Sequence, residues 1–250
     1  MWSFNAFCDE FSITSKLLLK LELDPSRETL LHFFEQLRRS YPRLTRLRRR
    51  GDGALIVDEE TPPEEGRRWL RVDANGLKFG HHSPSEAAVI SRYAENVLSR
   101  APAHLSLSDL DYDYLDVIFS FDLEYRGNHD ELVAETFFAD HPLFGLFGDS
   151  GKRLIDCQPF VGATLSDDCE RQIYLEIKGR TSTYEVRTGE FETLPLSVNL
   201  TVRQYWSAAR GADLSATHQQ LLTIGEQVAT ARVVPQVVQP LSAAIGGRRD

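Results

Sequence analysis

The sequence predicts an α+β protein made of two similar β-α-β-β-(β)-α halves, with helices packed on one face of antiparallel sheets. Residues that alternate between apolar and polar predict long strands, and apolar residues at helical spacing follow them. A third observation predicts the division into halves, because the first strand superposes on a later one after a shift of 102 positions, which places Leu17 on Phe119. We therefore expect a pseudo-twofold arrangement, either as two sheets or as one continuous sheet.

The first half begins with a strand over residues 11–23, whose apolar side chains share one face. Asp24-Pro25-Ser26 then supplies an N-cap, with proline at a tolerated first position, for a helix that ends near Tyr41-Pro42. Gly51-Asp52-Gly53 predicts a hairpin between 44–50 and 54–58.

A second hairpin and a second helix complete the first half. The hairpin turns at residues 73–76. Ser83-Pro84-Ser85-Glu86 matches a capping box, in which a serine hydroxyl and a glutamate carboxylate each accept a helix N–H. Ala101-Pro102 predicts the end of this helix.

The second half repeats the order of elements. A strand over 113–125 precedes an Asn128-x-x-Glu131 helix start, and His141-Pro142 predicts the end of that helix. Alternation then predicts strands over 160–165, 171–178, 184–188 and 192–206. A last helix begins near Ser215 and stops before Pro235.

We expect one compact unit, with a first half over 9–108, a second half over 109–240, and short flexible termini at 1–8 and 241–250. Coincidence is the alternative to duplication, because β-α-β-β order is common and side-chain identity between the halves is negligible.

Three short segments also carry a resemblance, namely Arg38–Pro42, Trp69–Phe79 and Ser91-Arg92-Tyr93. In layout the chain resembles an uncharacterised bacterial family of similar length, in which a strand, a helix ending in Tyr/Phe-Pro, paired hairpins and a strand-rich second half recur. The resemblance implies a bacterial source and a duplicated α+β fold, and it implies no activity.

Composition and motifs exclude several classes of protein. The 250 residues are 42% hydrophobic and 26% charged, a composition that argues against disorder. The net charge of −9 makes nucleic acid an unfavourable partner. No apolar run approaches the roughly 18 residues of a membrane span, and three cysteines without a CxxC pair fit a cytoplasmic protein. Phosphate-loop, dinucleotide, Gly-x-Ser-x-Gly and His-Glu-x-x-His motifs are all missing, so we expect no cofactor.

Seven arginines lie within residues 38–50, without an acidic residue between them. On a strand, Arg46, Arg48 and Arg50 would project together and could hold phosphate groups as an anion-binding site. The interpretation that we favour is a charge-paired hairpin, because Asp58-Glu59-Glu60 returns along the next strand.

Asp109, Asp111 and Asp113 resemble the start of a calcium loop, and on an extended strand they would offer one metal-binding face. Tyr114 and Ser120 stand where an EF-hand requires glycine and glutamate, so that motif is excluded. The ordinary interpretation is a solvated acidic strand entry.

The connection over residues 139–150 is unusually apolar. It contains four large side chains, Leu143, Phe144, Leu146 and Phe147. Such a loop either folds back as a plug between the halves or presents a patch to a partner.

Two functions remain open from the sequence. The first is a non-catalytic module that binds an unknown protein partner or small ligand at the junction between the halves, with a homo-oligomer as a further possibility. The alternative is a metal-assisted enzyme, or a binder of a phosphorylated or nucleic-acid substrate, anchored by the arginines of residues 38–50.

Overall fold

A computed structural model describes residues 4–60, 66–145, 153–206 and 213–248. After a short 3₁₀ turn at Phe4–Ala6, the first half comprises β1 (Glu10–Leu19), α1 (Arg27–Ser40), β2 (Leu44–Arg49), β3 (Leu55–Glu59), β4 (Arg67–Asp73), β5 (Gly76–His82) and α2 (Ala87–Leu105). The second half comprises β6 (Tyr112–Arg126), α3 (His129–Phe138), α4 (Pro142–Gly145), β7 (Phe160–Thr164), β8 (Arg171–Lys178), α5 (Thr183–Thr188), β9 (Thr193–Tyr205), α6 (Leu214–Val228), a π-helical segment (Ala229–Val238) and α7 (Gln239–Gly246).

The nine strands found among the described residues form a single antiparallel sheet in the order β2-β3-β4-β5-β1-β6-β9-β8-β7. The predicted α+β class is therefore confirmed, and the continuous sheet is found rather than two separate ones. β1 and β6 lie side by side at the centre. Each of them pairs on its other side with the last strand of its own half, β5 or β9.

One face of this sheet carries the core. Register places Ile13 opposite Phe119, and Phe119 opposite Leu200, and all three side chains are buried. α6 rests on this face so closely that a Cβ added to Gly225 would lie 2.2 Å from the Phe119 ring. The alternation of apolar residues on the central strands thus directs one set of side chains towards the helices.

The two halves share this core. The Oγ of Ser15 on β1 lies 2.8 Å from Nε2 of His218 on α6, and both side chains are buried. His218 also stacks on Phe79 of β5, with ring centroids 6.1 Å apart. Phe4 packs edge-on against Phe121 of β6, at 5.6 Å. These contacts cross from residues of the first half to residues of the second.

Local signals predicted several element starts correctly. The Ser26 side chain accepts the N–H of Thr29 and caps α1, so the N-cap lies in the predicted segment, but Pro25 precedes the cap and does not occupy the first helical position. Asn128 likewise caps α3 by accepting the N–H groups of Asp130 and Glu131. β8 spans residues 171–178, as predicted.

Two predicted features of the first half are wrong. The strand over 11–23 ends at Leu19, where a register shift against β6 breaks the ladder and leaves Leu21 69% exposed. The capping box at Ser83 does not form, because the Ser83 N–H bonds to the Phe11 carbonyl and its φ is +50°. The N-cap of α2 is Glu86, which makes no side-chain capping bond.

Of the four proline-based helix ends, those at Pro42 and Pro142 hold, because α1 ends at Ser40 and α3 at Phe138, and those at Pro102 and Pro235 are wrong. α2 continues past Pro102 to Leu105, whose buried side chain holds the last turn on the core. Helix continues past Pro235 as well, because the backbone widens into the π-helical segment there and so accommodates a residue without an N–H. α7 then occupies part of the terminus predicted as flexible, with Leu241 and Ile245 buried.

The predicted strand over 184–188 is α5 instead. Ser182 and Glu185 form a complete capping box, with each side chain accepting the other's backbone N–H. This pair starts a helix, and Gly189 ends it in the left-handed conformation, with a φ of +76°. Alternation over only five residues was too short to outweigh these two signals.

Candidate functional site

The face of the sheet opposite to the helices, which we call the open face, carries a row of charges across its centre. Arg71 on β4 lies opposite Lys78 on β5, and Lys78 lies opposite Lys16 on β1. Lys16 faces Asp116 on β6, which in turn faces Arg203 on β9. Four cations and one carboxylate therefore occupy neighbouring strands where the two halves meet. We call Lys16, Lys78, Tyr114, Asp116 and Arg203 the junction cluster.

A two-pronged ion pair anchors the cluster. Arg203 Nε and Nη2 donate to the two carboxylate oxygens of Asp116 at 2.7 and 2.8 Å. Asp116 is 2% exposed, and this burial raises its pKa, while the hydrogen bonds and charge of Arg203 oppose the rise. Burial alone would lower the pKa of Arg203, but the contacts to Asp116 raise it, so Arg203 remains a cation. The pair neutralises itself and fixes the geometry of its neighbours.

Aromatic rings hold the Arg203 guanidinium in place. Its Cζ lies 3.6 Å from the centroid of the Tyr114 ring, which is a close cation–π contact. Nη1 also donates to the Tyr205 hydroxyl at 3.0 Å, and the rings of Tyr114 and Tyr205 meet edge-on at 5.4 Å. The open face therefore combines flat rings with positive charge at the seam between β6 and β9.

Lys16 and Lys78 also supply positive charge. Among the described residues, neither lysine forms a two-pronged ion pair like that between Arg203 and Asp116. Lys16 Nζ donates to the Tyr114 hydroxyl at 2.9 Å. Within the described part of the chain, no salt bridge is found for Lys78. The two lysines are direct cross-strand neighbours, and like charges in that position destabilise a sheet by roughly 0.2–1 kcal/mol.

A small pocket of about 70 Å³ opens between these lysines at the end of the β5–β1 pair. Its lining also includes Asp73, Asn75, Gly76 and three leucines, Leu17, Leu18 and Leu77. Asp73 is already engaged by Arg71, whose Nε donates to it at 2.9 Å. The pocket has room for one charged group, such as a carboxylate, and is far below the roughly 300–1,000 Å³ of a small-molecule site.

The arginine-rich hairpin is charge-paired, as the favoured interpretation expected. Arg46 donates to both oxygens of Asp58 at 2.9 Å, and Arg48 binds the same carboxylate. The hydrogen bond from Arg46 is the largest influence that holds the pKa of Asp58 below its usual value. Arg50 directly follows β2, and its N–H donates to the Ala54 carbonyl at 2.8 Å, so a common face with Arg46 and Arg48 stays a prediction.

The three aspartates proposed as a metal site are not brought together by the described structure. Asp111 accepts the N–H and hydroxyl of Ser108, and Asp109 precedes β6 in the same turn. Over the described ranges, no group of three or more His, Cys, Asp or Glu side chains is placed to hold a metal ion, and this includes Asp113.

The alternative enzyme would need the arginine and aspartate surfaces to face one cleft. β2 and β6 are separated by five strand spacings in the sheet. At about 4.8 Å per spacing, this puts the two surfaces roughly 24 Å apart. The geometry therefore gives no support to a metal-assisted reaction on a substrate held by these arginines.

The apolar connection contributes no described surface. Leu146 and Phe147 lie outside the described residues, and so do the side chains of Leu143 and Phe144 within α4. The partner patch predicted there stays a prediction.

Sequence reasoning missed the junction cluster because its members belong to four strands, β1, β5, β6 and β9, that are separated in the chain. The one local signal was a charged residue on the polar side of each ladder, namely Lys16, Asp116 and Arg203. Register between β1, β6 and β9 turns these scattered charges into neighbours.

Comparisons with known proteins leave the sheet and its cluster as the main guides to function. No family model matches the chain, and no curated protein sequence is significantly similar to it. The resemblance to an uncharacterised bacterial family therefore stays an expectation. Of the described helices, none has the length and apolar character to cross a membrane.

Proposed function

We propose that this protein is a non-catalytic binding module, and that it holds an acidic segment of a protein partner on the open face where its two halves meet. The single observation that carries the proposal is the direct opposition of Lys16 and Lys78, next to Arg71, on a sheet face that no described helix covers. Cross-strand like charges lower stability, and an anionic partner group between them would reverse that cost.

The shape of the site favours a protein partner over a small ligand. The pocket between the lysines, at about 70 Å³, is large enough for one charged group and too small for a whole small-molecule ligand. Around it, the sheet offers a broad surface with half-exposed rings, including Tyr114 and Trp69. The Trp69 indole lies over Gly80, where a Cβ would meet it at 2.9 Å, so a flat patch borders the charged one.

A duplicated origin would explain why the site lies at the seam. In both halves the first strand is followed by a helix and pairs with the last strand of that half, and the two first strands pair with each other. We propose that β1 and β6 are related by a pseudo-twofold axis between them. Binding at this axis uses side chains from both halves and needs no catalytic residues.

The test measures binding of a hexaglutamate peptide by isothermal titration at low salt, where exposed charges are least screened. The double variant K16Q/K78Q removes both charges and keeps a polar, slightly shorter side chain at each position. We expect it to lose at least tenfold in affinity and to gain a few tenths of a kcal/mol in unfolding free energy, because the like-charge opposition disappears.

The matched control is K20Q/K178Q, which removes the same charge from two exposed lysines outside the junction cluster. Its affinity should stay within a factor of about two of the unmodified protein. Equal losses in both double variants would show general charge attraction and contradict the proposal, as would undetectable binding by the unmodified protein. Tighter binding of single-stranded DNA than of the peptide would instead favour a nucleic-acid partner.

A further inference from the structure

The two edges of the sheet differ sharply in how they are protected against pairing with another chain. β2 forms one edge, and it carries Arg46, Arg48 and Arg49. The single Asp58 carboxylate binds both Arg46 and Arg48, so β2 keeps net positive charge, and two copies of β2 would repel each other if they paired. β7 forms the other edge, and its sequence from Phe160 to Thr164 contains no charged residue.

β7 is also exposed along its whole length. Each of its five residues is exposed, with Phe160 64% and Val161 65% accessible. Leu165, directly after the strand, is 43% exposed. No strand in the described part of the chain pairs with the outer side of β7, so its outward backbone groups are available for a ladder. An uncharged, apolar, exposed edge of this kind is a template for strand addition.

We propose that β7 pairs antiparallel with β7 of a second copy of this chain, about a twofold axis at Gly162. In that register Phe160 faces Thr164 of the other copy and Val161 faces its Ala163, so no pair opposes like charges. The neutrality of β7 thus fits a second β7 better than a charged strand, which would bury its charge against apolar side chains.

Contacts with β8 and the residues that flank β7 favour this pairing. Phe160 stacks on Tyr174 of β8, with centroids 5.5 Å apart and planes 19° apart, so its ring is held on the open face. The Tyr174 ring lies over Gly162, where a Cβ would meet it at 2.6 Å, and the absence of a side chain keeps the proposed axis flat. Pro159 before the strand and the Ser166–Asp168 turn after it confine pairing to β7.

Sedimentation velocity over a concentration series tests the pairing. We expect the mass to rise with concentration from 28.4 kDa towards twice that value. V161K places a charge in the proposed ladder and should hold the protein at the monomer mass at every concentration. L47K is the matched control, since Leu47 is a 44% exposed apolar residue on the opposite edge, and it should leave association unchanged.

A cross-linking variant keeps the proposal falsifiable if V161K folds poorly. V161C/A163C, made with the three native cysteines replaced by serine, should form a covalent dimer on oxidation, because each new cysteine faces its counterpart in the other copy. R46C/R48C on β2 is the control and should stay monomeric. A monomer at all concentrations, association that V161K leaves intact, or cross-linking through β2 alone would overturn the proposal.

Discussion

At the scale of single residues, buried histidines make the protein sensitive to acid. Burial lowers the pKa of His218 to about 4, and burial is also the main cause that lowers the pKa of His81 to about 4. Both histidines are therefore neutral in the fold near pH 7. In the unfolded chain both histidines take up protons near the ordinary histidine pKa of 6.5.

The first prediction follows from this difference. The unfolded state binds more protons than the fold as pH falls from about 6.5 to about 4, so stability is lost across that window, by up to about 3 kcal/mol for each histidine. Urea unfolding at a series of pH values measures the loss. H218N should flatten the curve, and H141Q at an exposed position should not. An H218N curve as steep as that of the unmodified protein would contradict the prediction.

At the scale of elements, the packing of α6 on the sheet depends on Gly225. Ordinarily alanine is better than glycine in a helix by about 1 kcal/mol. Here the added methyl group would meet the Phe119 ring at the centre of β6, which is buried and cannot move away freely.

The second prediction is therefore that G225A lowers the unfolding free energy by about 1–3 kcal/mol, against the usual trend. G246A in α7 is the control, because nothing lies within 4 Å of a Cβ there, and it should be neutral or slightly stabilising. Urea titration of both variants gives the comparison. Stabilisation by G225A would mean that α6 does not rest on Phe119 as described.

The elements also show what the sequence can and cannot reveal. β1, β6, β8 and α1 were predictable because long alternation or a clear cap defined them locally. α5 was missed because a capping box outweighed a five-residue alternation. The junction cluster was beyond local reasoning, because Lys16, Asp116 and Arg203 are 87 or more residues apart in sequence and become neighbours only through the register between their strands. Pairing of this kind depends on the assembled sheet rather than on any one segment.

At the scale of the whole molecule, the halves share one sheet and one core. Ser15 and His218 are hydrogen-bonded although they are 203 residues apart, and Phe4 contacts both Phe11 and Phe121. Separating the halves would break the central ladder between β1 and β6 and expose these groups.

The third prediction is that the protein unfolds in one cooperative transition. Tryptophan fluorescence and far-ultraviolet circular dichroism should give the same urea midpoint. F79A, in the first half, should cost about 3–5 kcal/mol and shift both signals together, because the Phe79 side chain lies under His218 of the second half. Two separated transitions, or a shift of one signal alone, would show that the halves behave as independent domains.

The central position of β1 has a consequence for biosynthesis. A ribosome releases β1 and its partner β5 before β6. In the nascent first half, the backbone groups on one side of β1 are therefore paired with β5, and those on the other side have no partner strand yet. Closing that gap joins segments about a hundred residues apart, which makes folding slow relative to helical proteins of the same size. Chaperone protection during translation is thus most valuable in the interval before residue 126 emerges.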